Sequence, residues 1–268
     1  MMHILWAFLR RDLQHEASYK LAFAMQVLST LPVMLMFLLL SRFFGQLVPS
    51  QLQAYGGQYF PFVLIGIAVQ NYLLLAMSAF SGRLREAQLT GTFEAELVTP
   101  VPLPLYLAGS SLFAFALKTV HIFIYLLLGS LLGGVHLQWA RLPLVLLVLL
   151  LSAGAFSCLG ILSASYIVLF KKGDPVGSVF MVMSWLLGGV YFPVAMLPGW
   201  LHGIAPILPM THCLEALRLL LLGNQGLAQI ARPLAILAAW VVLGVPACYA
   251  CFAWAVAWAR KKGTLGQY

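Results

Sequence analysis

Acidic residues are scarce in this chain of 268 residues, which has only seven Asp and Glu, and charged residues of both signs make up 8%. Hydrophobic residues account for 62%, a composition that excludes an ordinary soluble globular protein. Several apolar runs reach about 18 residues or more, enough to cross a hydrocarbon core roughly 30 Å thick as helices. The sequence therefore predicts an all-α protein that crosses a membrane several times.

Motifs for catalysis and energy conversion are also missing. The dipeptide Gly-Lys does not occur, so the chain has no phosphate-binding loop of the form G-x-x-x-x-G-K-[ST], and H-E-x-x-H and G-x-S-x-G are absent too. No carboxylate pair falls within an apolar run, which argues against a proton-driven or sodium-driven carrier. The chain is therefore predicted not to be an enzyme, and we expect another polypeptide to supply the driving force.

Cysteine usage indicates neither a disulfide framework nor a metal site. Three of the four cysteines, Cys158, Cys248 and Cys251, fall within apolar runs, and only Cys213 lies in a connection. Cys248 and Cys251 have the spacing of a metal-binding pair, but no second Cys or His pair lies near them, so a packing role is predicted. The net charge of +8 comes from basic clusters between apolar runs, so no nucleic-acid partner is expected.

Hydropathy divides the chain into two predicted units. Residues 1–20 form an amphipathic interfacial helix, or alternatively a polar extension of the first span, and residues 21–268 form a domain of six spans. These spans are predicted at 21–44, 59–80, 105–132, 143–170, 176–192 and 231–259.

The distribution of basic residues predicts that both termini lie in the cytoplasm. In this orientation ten basic residues lie inside and four lie outside, as the positive-inside rule requires. The inner set is Arg10, Arg11, Lys20, Arg83, Arg85, Lys171, Lys172, Arg260, Lys261 and Lys262, and the outer set is Arg42, Arg141, Arg218 and Arg232.

The outer connection at residues 193–229 is unusually long and rich in proline. Prolines at 193, 198, 206 and 209 divide it into apolar pieces of about ten residues, too short to cross the bilayer. Backbone that enters lipid must satisfy its own hydrogen bonds, so we predict a re-entrant pair of short helices broken near Pro206–Pro209. Within the second piece, Glu215 and Arg218 are three residues apart and can pair.

The inner connection, residues 81–104, contains a predicted short helix. Thr92 is a suitable N-cap, Glu94 and Glu96 fall in the first turn, and Pro100 prevents continuation. Phe93 and Leu97 share one face of this helix, which would present an apolar surface with a charged rim. The alternative is a capped, solvated turn that only links two spans.

Two stretches of the chain resemble the permeases of the ABC type-2 exporter class. The first resembles the coupling-helix pattern G-T-L-E-Q-L-L-x-T-P of that family, with Phe93 in place of leucine and Glu96 where the family often has an apolar residue. Its matching residues are Gly91, Thr92, Glu94, Leu97, Thr99 and Pro100. The second resembles G-x-x-F-P-x-x-x-L-P followed by P-x-T-x-x-x-E-x-x-R, at Gly189, Phe192, Pro193, Leu197, Pro198, Pro209, Thr211, Glu215 and Arg218.

This resemblance implies a half-transporter with a type V ABC exporter-like fold in a bacterial cytoplasmic (inner) membrane. Two permease copies, identical or paralogous, would pair, and two cytoplasmic ABC ATPase subunits would bind ATP and Mg, with no cofactor on this chain. The substrate would be amphipathic: a drug, a lipid, or a lipid-linked or lipid-modified glycan. The implied ATPase-docking residues are Thr92, Phe93, Glu94, Glu96, Leu97, Thr99 and Pro100. The alternatives are an ATP-independent carrier or channel and a membrane-embedded enzyme.

A polar stripe on the third span marks a possible substrate pathway. Lys118 lies about 20 Å from the inner end of that span, with Ser111, His121 and Tyr125 at −7, +3 and +7 from it. One hypothesis is that the stripe faces the pathway between two permeases and attracts an anionic head group. The alternative is a buried lysine, bonded to backbone carbonyls or water or kept neutral by a lowered pKa, that serves only packing between helices.

A second part of the pathway is predicted at the outer end of the fifth span. Tyr191 and Phe192 lie just before Pro193 there, where they would form an exit gate or belong to an interfacial aromatic belt.

Overall fold

A computed structural model of the chain describes residues 20–44, 50–89, 103–171, 173–223 and 227–262. These residues form helices and turns, and no strand occurs among them. A π-helical turn, Trp240–Gly244, joins the last two helices into one continuous segment. The α-helices are α1 (Lys20–Phe44), α2 (Tyr59–Leu89), α3 (Leu103–Gly133), α4 (Leu142–Phe170), α5 (Pro175–Leu187), α6 (Pro209–Leu221), α7 (Ala231–Ala239) and α8 (Val245–Lys261).

Five of these segments are long and apolar enough to cross a membrane, and a sixth crossing is possible if a bent pair of helices counts as one span. The five are Ala24–Phe43, Tyr59–Gly82, Ser111–Gly133, Trp139–Phe170 and Ala228–Lys261. Their number and length confirm the prediction of an all-helical protein with several membrane helices.

The fifth predicted span is shorter than expected. Helix α5 has 13 residues, about 20 Å at 1.5 Å per residue, which is less than the thickness of the hydrocarbon core. It ends at Leu187 rather than at residue 192 because the chain turns at the next residues, where Gly189 has a φ of 81°. That left-handed conformation suits glycine, which has no Cβ to clash with the backbone.

Helix α2 is longer than expected and shortens the predicted inner connection. It continues from the apolar run through residues 81–89, which were predicted to lie in the connection. The added residues include Arg85, Glu86 and Gln88, which are good helix formers, so the helix extends beyond its apolar stretch. The part of the connection that lies outside the described residues is 90–102.

Helix α2 forms the centre of the bundle. It packs against both α3 and α4, while α4 also packs along α8. The ring of Tyr72 on α2 contacts Phe115 on α3 and Phe156 on α4 edge-on, with centroid distances of 5.3 and 6.4 Å. By contrast, α1 contacts α2 and α3 along one side and leaves large apolar side chains such as Leu28 exposed. Such a surface suits contact with lipid or with another membrane subunit.

The outer segment is bent sharply, as its prolines predicted. Residues Gly199–Ile207 and helix α6 meet at 86°. The second piece is an α-helix that starts at Pro209, but the first consists of 3-10 turns rather than a helix of its own. Side chains of α6 hold the bend: Thr211 Oγ1 donates to the carbonyl of Ala205, and His212 Nε2 donates to the carbonyl of Pro206, both at 2.7 Å.

Candidate functional site

Arg218, on α6, is buried with 4% of its surface exposed and is held by backbone carbonyls of two other elements. Its Nη1 donates to Gly189 O at 2.8 Å, and its Nη2 donates to Phe62 O at 3.0 Å and Val190 O at 3.1 Å. The guanidinium also lies over the ring of Phe62, 3.3 Å from its centroid. The side chain therefore ties α6 to α2 and to the turn that follows α5.

The predicted pairing of Glu215 with Arg218 is wrong. Arg218 points into the bundle towards the carbonyls, while the Glu215 carboxylate lies 3.9 Å from His212 Nδ1 on the outer side of the same helix. The orientation of Arg218 follows from burial, because a buried guanidinium needs acceptors on several sides and one partly exposed carboxylate cannot supply them.

Close approach of backbones completes this arrangement, which we call the outer anchor (Phe62, Gly66, Gly189, Val190 and Arg218). A Cβ added at Gly66 would lie 2.3 Å from Val190 O and 3.1 Å from Arg218 Nη2. Glycine is therefore required at this position of α2 for the turn after α5 to reach the helix.

Tyr55 lies beside the outer anchor, at the end of the 3-10 helix Ser50–Tyr55. Its ring packs against that of Phe62, with a centroid distance of 5.6 Å. Burial raises the pKa of the Tyr55 phenol above its usual range, so the hydroxyl stays neutral at physiological pH.

The N-terminal end of α5 is fixed by Asp174. Its Oδ1 accepts from the Gly177 N–H at 2.7 Å, and its Oδ2 accepts from the hydroxyl of Ser163 on α4. Asp174 is thus an N-cap that also joins two helices. The carboxylate serves local structure at this turn.

A polar cavity of about 150 Å³ lies between α1, α2 and α3, beside residues 26–30 of α1 and the middle of α2 and α3. Its apolar lining comes from Val27, Ala68, Ile122 and Ile124, and its polar lining comes from Gln26, Ser29, Thr30, Asn71, Lys118, His121 and Tyr125. Among the described residues that line it, Lys118 is the one Lys or Arg side chain, and no carboxylate is present. When Lys118 is protonated, the cavity therefore carries a positive charge without a matching negative one on its wall.

Most polar groups of the cavity already donate to their own helix. Ser29 Oγ donates to Gln26 O at 2.7 Å, and Thr30 Oγ1 donates to Val27 O at 2.6 Å. Asn71 Nδ2 donates to Ile67 O at 3.0 Å on α2. These bonds leave side-chain oxygen atoms of the three residues able to accept further hydrogen bonds.

Tyr125 and Lys118 differ from these residues. Tyr125 is 6% exposed, and its buried hydroxyl has no hydrogen-bond partner among the described residues. Lys118 is partly buried, and no hydrogen bond or ion pair joins it to another residue in the described ranges. A buried hydroxyl and a partly buried ammonium both favour a polar partner, so the cavity offers two donors that the protein leaves available.

Three of the four residues in the predicted stripe line this cavity: Lys118, His121 and Tyr125. His121 Nδ1 lies 3.0 Å from the Leu117 carbonyl of its own helix. Ser111, the fourth, is buried two turns closer to the inner side and does not line it.

Tyr191 and Phe192 lie after the end of α5 and contact different parts of the molecule. The Tyr191 hydroxyl donates to Gln70 Oε1 at 3.2 Å, and its ring stacks on Phe37 with centroids 5.5 Å apart. Phe192 packs instead on a small apolar cluster around Leu197 and Leu208. The structure thus places Tyr191 against α1 and α2, whereas Phe192 belongs to the outer segment.

The residues of the predicted docking helix, from Thr92 to Pro100, lie outside the described residues, as does the predicted interfacial helix up to residue 19. Four polar lining residues were not singled out from the sequence: Gln26, Ser29, Thr30 and Asn71. Each is a polar residue within an apolar run, and this signal could have identified them.

Comparison with known proteins agrees with this architecture. The inner membrane transport permease YadH of Escherichia coli strain K12 is 24% identical over 225 residues, which cover 83% of this chain and 86% of that protein. The daunorubicin resistance ABC transporter permease protein DrrB1 of Streptomyces coeruleorubidus is 28% identical over 197 residues, covering 70% of this chain and 67% of that protein. The sequence model of the ABC-2 type transporter family matches residues 4–222. Because the match covers most of the chain, this protein belongs to the ABC-2 type transporter family.

Proposed function

We propose that this chain is the permease subunit of an ATP-driven exporter that moves an amphipathic substrate out of the cytoplasm or the inner leaflet. The observation that carries the proposal is the family match over residues 4–222 in a chain that has no phosphate-binding loop. Hydrolysis of ATP, with its Mg, is accordingly assigned to a separate ABC ATPase subunit. The daunorubicin resistance in the name of DrrB1 supports a drug as one candidate substrate of this chain.

The proposed ATPase-docking element is the short helix around Phe93 and Leu97. The described helices on either side support this assignment, because α2 ends at Leu89 and α3 begins at Leu103, so the segment joins the two helices that border the cavity. Helix α2 also packs against α3 and α4 and carries Phe62 of the outer anchor. A displacement of this segment would therefore reach both the cavity and the outer anchor through one rigid helix.

The proposed assembly contains two permeases, identical or paralogous, and two ATPases in the inner membrane, with both permease termini in the cytoplasm. The exposed apolar side of α1 supports a lateral contact with lipid or a second permease. The interfacial helix, the coupling helix and a re-entrant outer segment are parts of this type V-like proposal. The 86° bend before α6 is compatible with the last of these.

Co-purification tests the docking element. The chain is co-expressed with an ABC ATPase encoded in the same organism, and the ATPase that remains bound after affinity purification is quantified. We expect the double substitution Phe93→Ala and Leu97→Ala to remove most of the bound ATPase, because it deletes the apolar face that would enter the partner. Leu103→Ala is the matched control, since it removes a similar apolar side chain from the start of α3 and should retain the ATPase.

Reconstitution tests the driving force. Liposomes that contain the complex should move a fluorescent amphiphile only with ATP and Mg, whereas liposomes that contain the permease alone should not. Transport by the permease alone without ATP would contradict the proposal and favour a carrier or channel.

A further inference from the structure

The size of the cavity restricts what it can hold. Pockets for drug-sized ligands usually measure about 300–1,000 Å³, and this cavity measures about 150 Å³. It can therefore take a compact polar group but not a whole drug-sized or lipid-sized molecule. Any larger ligand must leave most of its volume outside.

The charge of the cavity selects the sign of that group. Protonated Lys118 is a cation, and none of the described residues that line the cavity is a carboxylate. A charge in a site of low dielectric is costly unless an opposite charge neutralises it. An anionic group would supply that charge, whereas a cationic group would be repelled.

The hydrogen-bond donors of the cavity agree with an anion. The buried Tyr125 hydroxyl lacks a partner among the described residues, and Lys118 provides three N–H donors. The side-chain amide of Gln26 adds donors at the rim, where this residue is exposed. These groups match a phosphate or carboxylate, which accepts several hydrogen bonds and forms short, charge-assisted bonds with an ammonium group.

The position of the rim indicates where the rest of the ligand would lie. Gln26 and Ser29 line the cavity and are also exposed on α1. Their neighbours Met25 and Leu28 present apolar surface beside this opening, with 56% and 54% of their surface exposed. An apolar tail attached to the bound group can therefore stay on the α1 surface among lipid chains.

We infer that this cavity binds the anionic head group of an amphiphile, such as a phosphate ester, while the hydrocarbon part remains outside against α1. This inference rests on the proposed export function and deepens it by naming the charge class of the substrate. It assigns Lys118 and Tyr125 as direct ligands of the head group. Ser29, Thr30 and Asn71 accept hydrogen bonds from water or from hydroxyls next to the anion.

Binding of a defined anionic amphiphile tests the inference. The full chain is purified in neutral maltoside micelles and immobilised, and ³²P-labelled decyl phosphate is measured by scintillation proximity. Unlabelled decyl phosphate should displace the label, whereas decyltrimethylammonium and decyl glucoside, which have the same tail, should need at least tenfold higher concentrations. Inorganic phosphate should also be at least tenfold weaker, because it lacks the tail that lies on α1.

Three variants and two matched controls locate the binding site. Lys118→Met should weaken binding tenfold or more, and Tyr125→Phe several-fold, because charge-assisted and buried hydrogen bonds contribute on this scale. Lys118→Arg keeps the charge and should restore much of the affinity that Lys118→Met loses. Lys261→Met removes an exposed charge at the end of α8, and Tyr166→Phe removes a hydroxyl from a ring stacked on Phe170. Both controls should bind like the unmodified chain.

Several outcomes would overturn the inference. Unchanged binding by Lys118→Met, or equal loss in the Lys261→Met control, would mean that the anion adsorbs elsewhere. Equal displacement by the cationic amphiphile would reject the charge class, and equal displacement by inorganic phosphate would reject the role of the tail. The measurement uses the permease without an ATPase, so its result is independent of whether the docking element or ATP-driven transport is confirmed.

Discussion

Arg218 and Lys118 are both basic residues within the helical bundle, but the structure surrounds them differently. Arg218 is almost fully buried and donates to three backbone carbonyls, with an aromatic ring beneath its guanidinium. Lys118 is only partly buried, lines a cavity, and makes no hydrogen bond to another of the described residues. The protein already supplies hydrogen-bond acceptors to Arg218, whereas Lys118 is available to bind a ligand.

The difference follows from the chemistry of the two side chains. A guanidinium is planar with five donors, so one residue can bind carbonyls on α2 and on the turn after α5 at the same time. An ammonium on a flexible stem is a compact charge that suits a mobile or transient partner. We therefore assign the outer anchor to stability and the cavity to ligand binding, and three stability measurements test this division.

Removal of the Arg218 guanidinium should have the largest effect. Arg218→Met leaves the carbonyls of Gly189 and Val190 buried without their donor, and each such group costs about 1–3 kcal/mol. We expect a loss of roughly 3–5 kcal/mol, seen as a melting temperature lower by about 10 °C for the purified chain in detergent.

Arg218→Lys provides the control for charge alone. One ammonium group cannot reproduce the hydrogen bonds of the planar guanidinium, so this variant should recover only a minor part of the lost stability. Full recovery by lysine would mean that the charge, rather than the geometry of the carbonyl contacts, holds α6 in place.

A methyl group at Gly66 should have the next largest effect. Gly66→Ala would place a Cβ 2.3 Å from the Val190 carbonyl oxygen, which belongs to the backbone and cannot rotate away. The turn must shift, and we expect a loss of about 2 kcal/mol by analogy with overpacked cores. The same thermal unfolding measurement would detect it.

Gly82→Ala is the matched control on the same helix. Among the described residues, no atom lies within 4 Å of a Cβ added at Gly82, so alanine should leave stability unchanged or raise it by up to about 1 kcal/mol through helix propensity. Equal losses at both positions would show that α2 resists alanine generally and that the outer anchor has no special role.

The sequence predicted the helices well because long apolar runs carry their own signal. The predicted spans at 21–44, 105–132 and 143–170 agree with α1, α3 and α4 within two residues at each end. The prediction failed at the end of α5, where the apolar character continues past Leu187 but Gly189 allows the chain to turn. Hydropathy indicates whether a segment can lie in an apolar environment, but it does not indicate where the backbone turns and ends a helix.

Contacts between distant elements could not be predicted in the same way. Arg218 binds carbonyls 28, 29 and 156 residues away, whereas the sequence offered only Glu215, three residues away, as a partner. Part of the cavity could be predicted from the sequence, because helical periodicity placed His121 and Tyr125 on the same face as Lys118. Its other walls depend on how α1 and α2 are rotated against α3, and one sequence does not determine that rotation.

The smallest effect on stability is expected at Lys118, although it is the residue that we assign to ligand binding. Lys118→Met keeps a similar length and removes a charge that has no partner among the described residues. Its removal breaks no hydrogen bond or ion pair with a described residue and leaves no carbonyl unpaired, so the stability should change by no more than about 0.5 kcal/mol, or should increase. The measurement is the melting temperature of the purified chain without added amphiphile, next to that of Arg218→Met. A decrease in melting temperature as large as that of Arg218→Met would show that Lys118 stabilises the bundle. No ligand is bound in this measurement, so such a loss of stability would have to come from contacts of Lys118 with its neighbours.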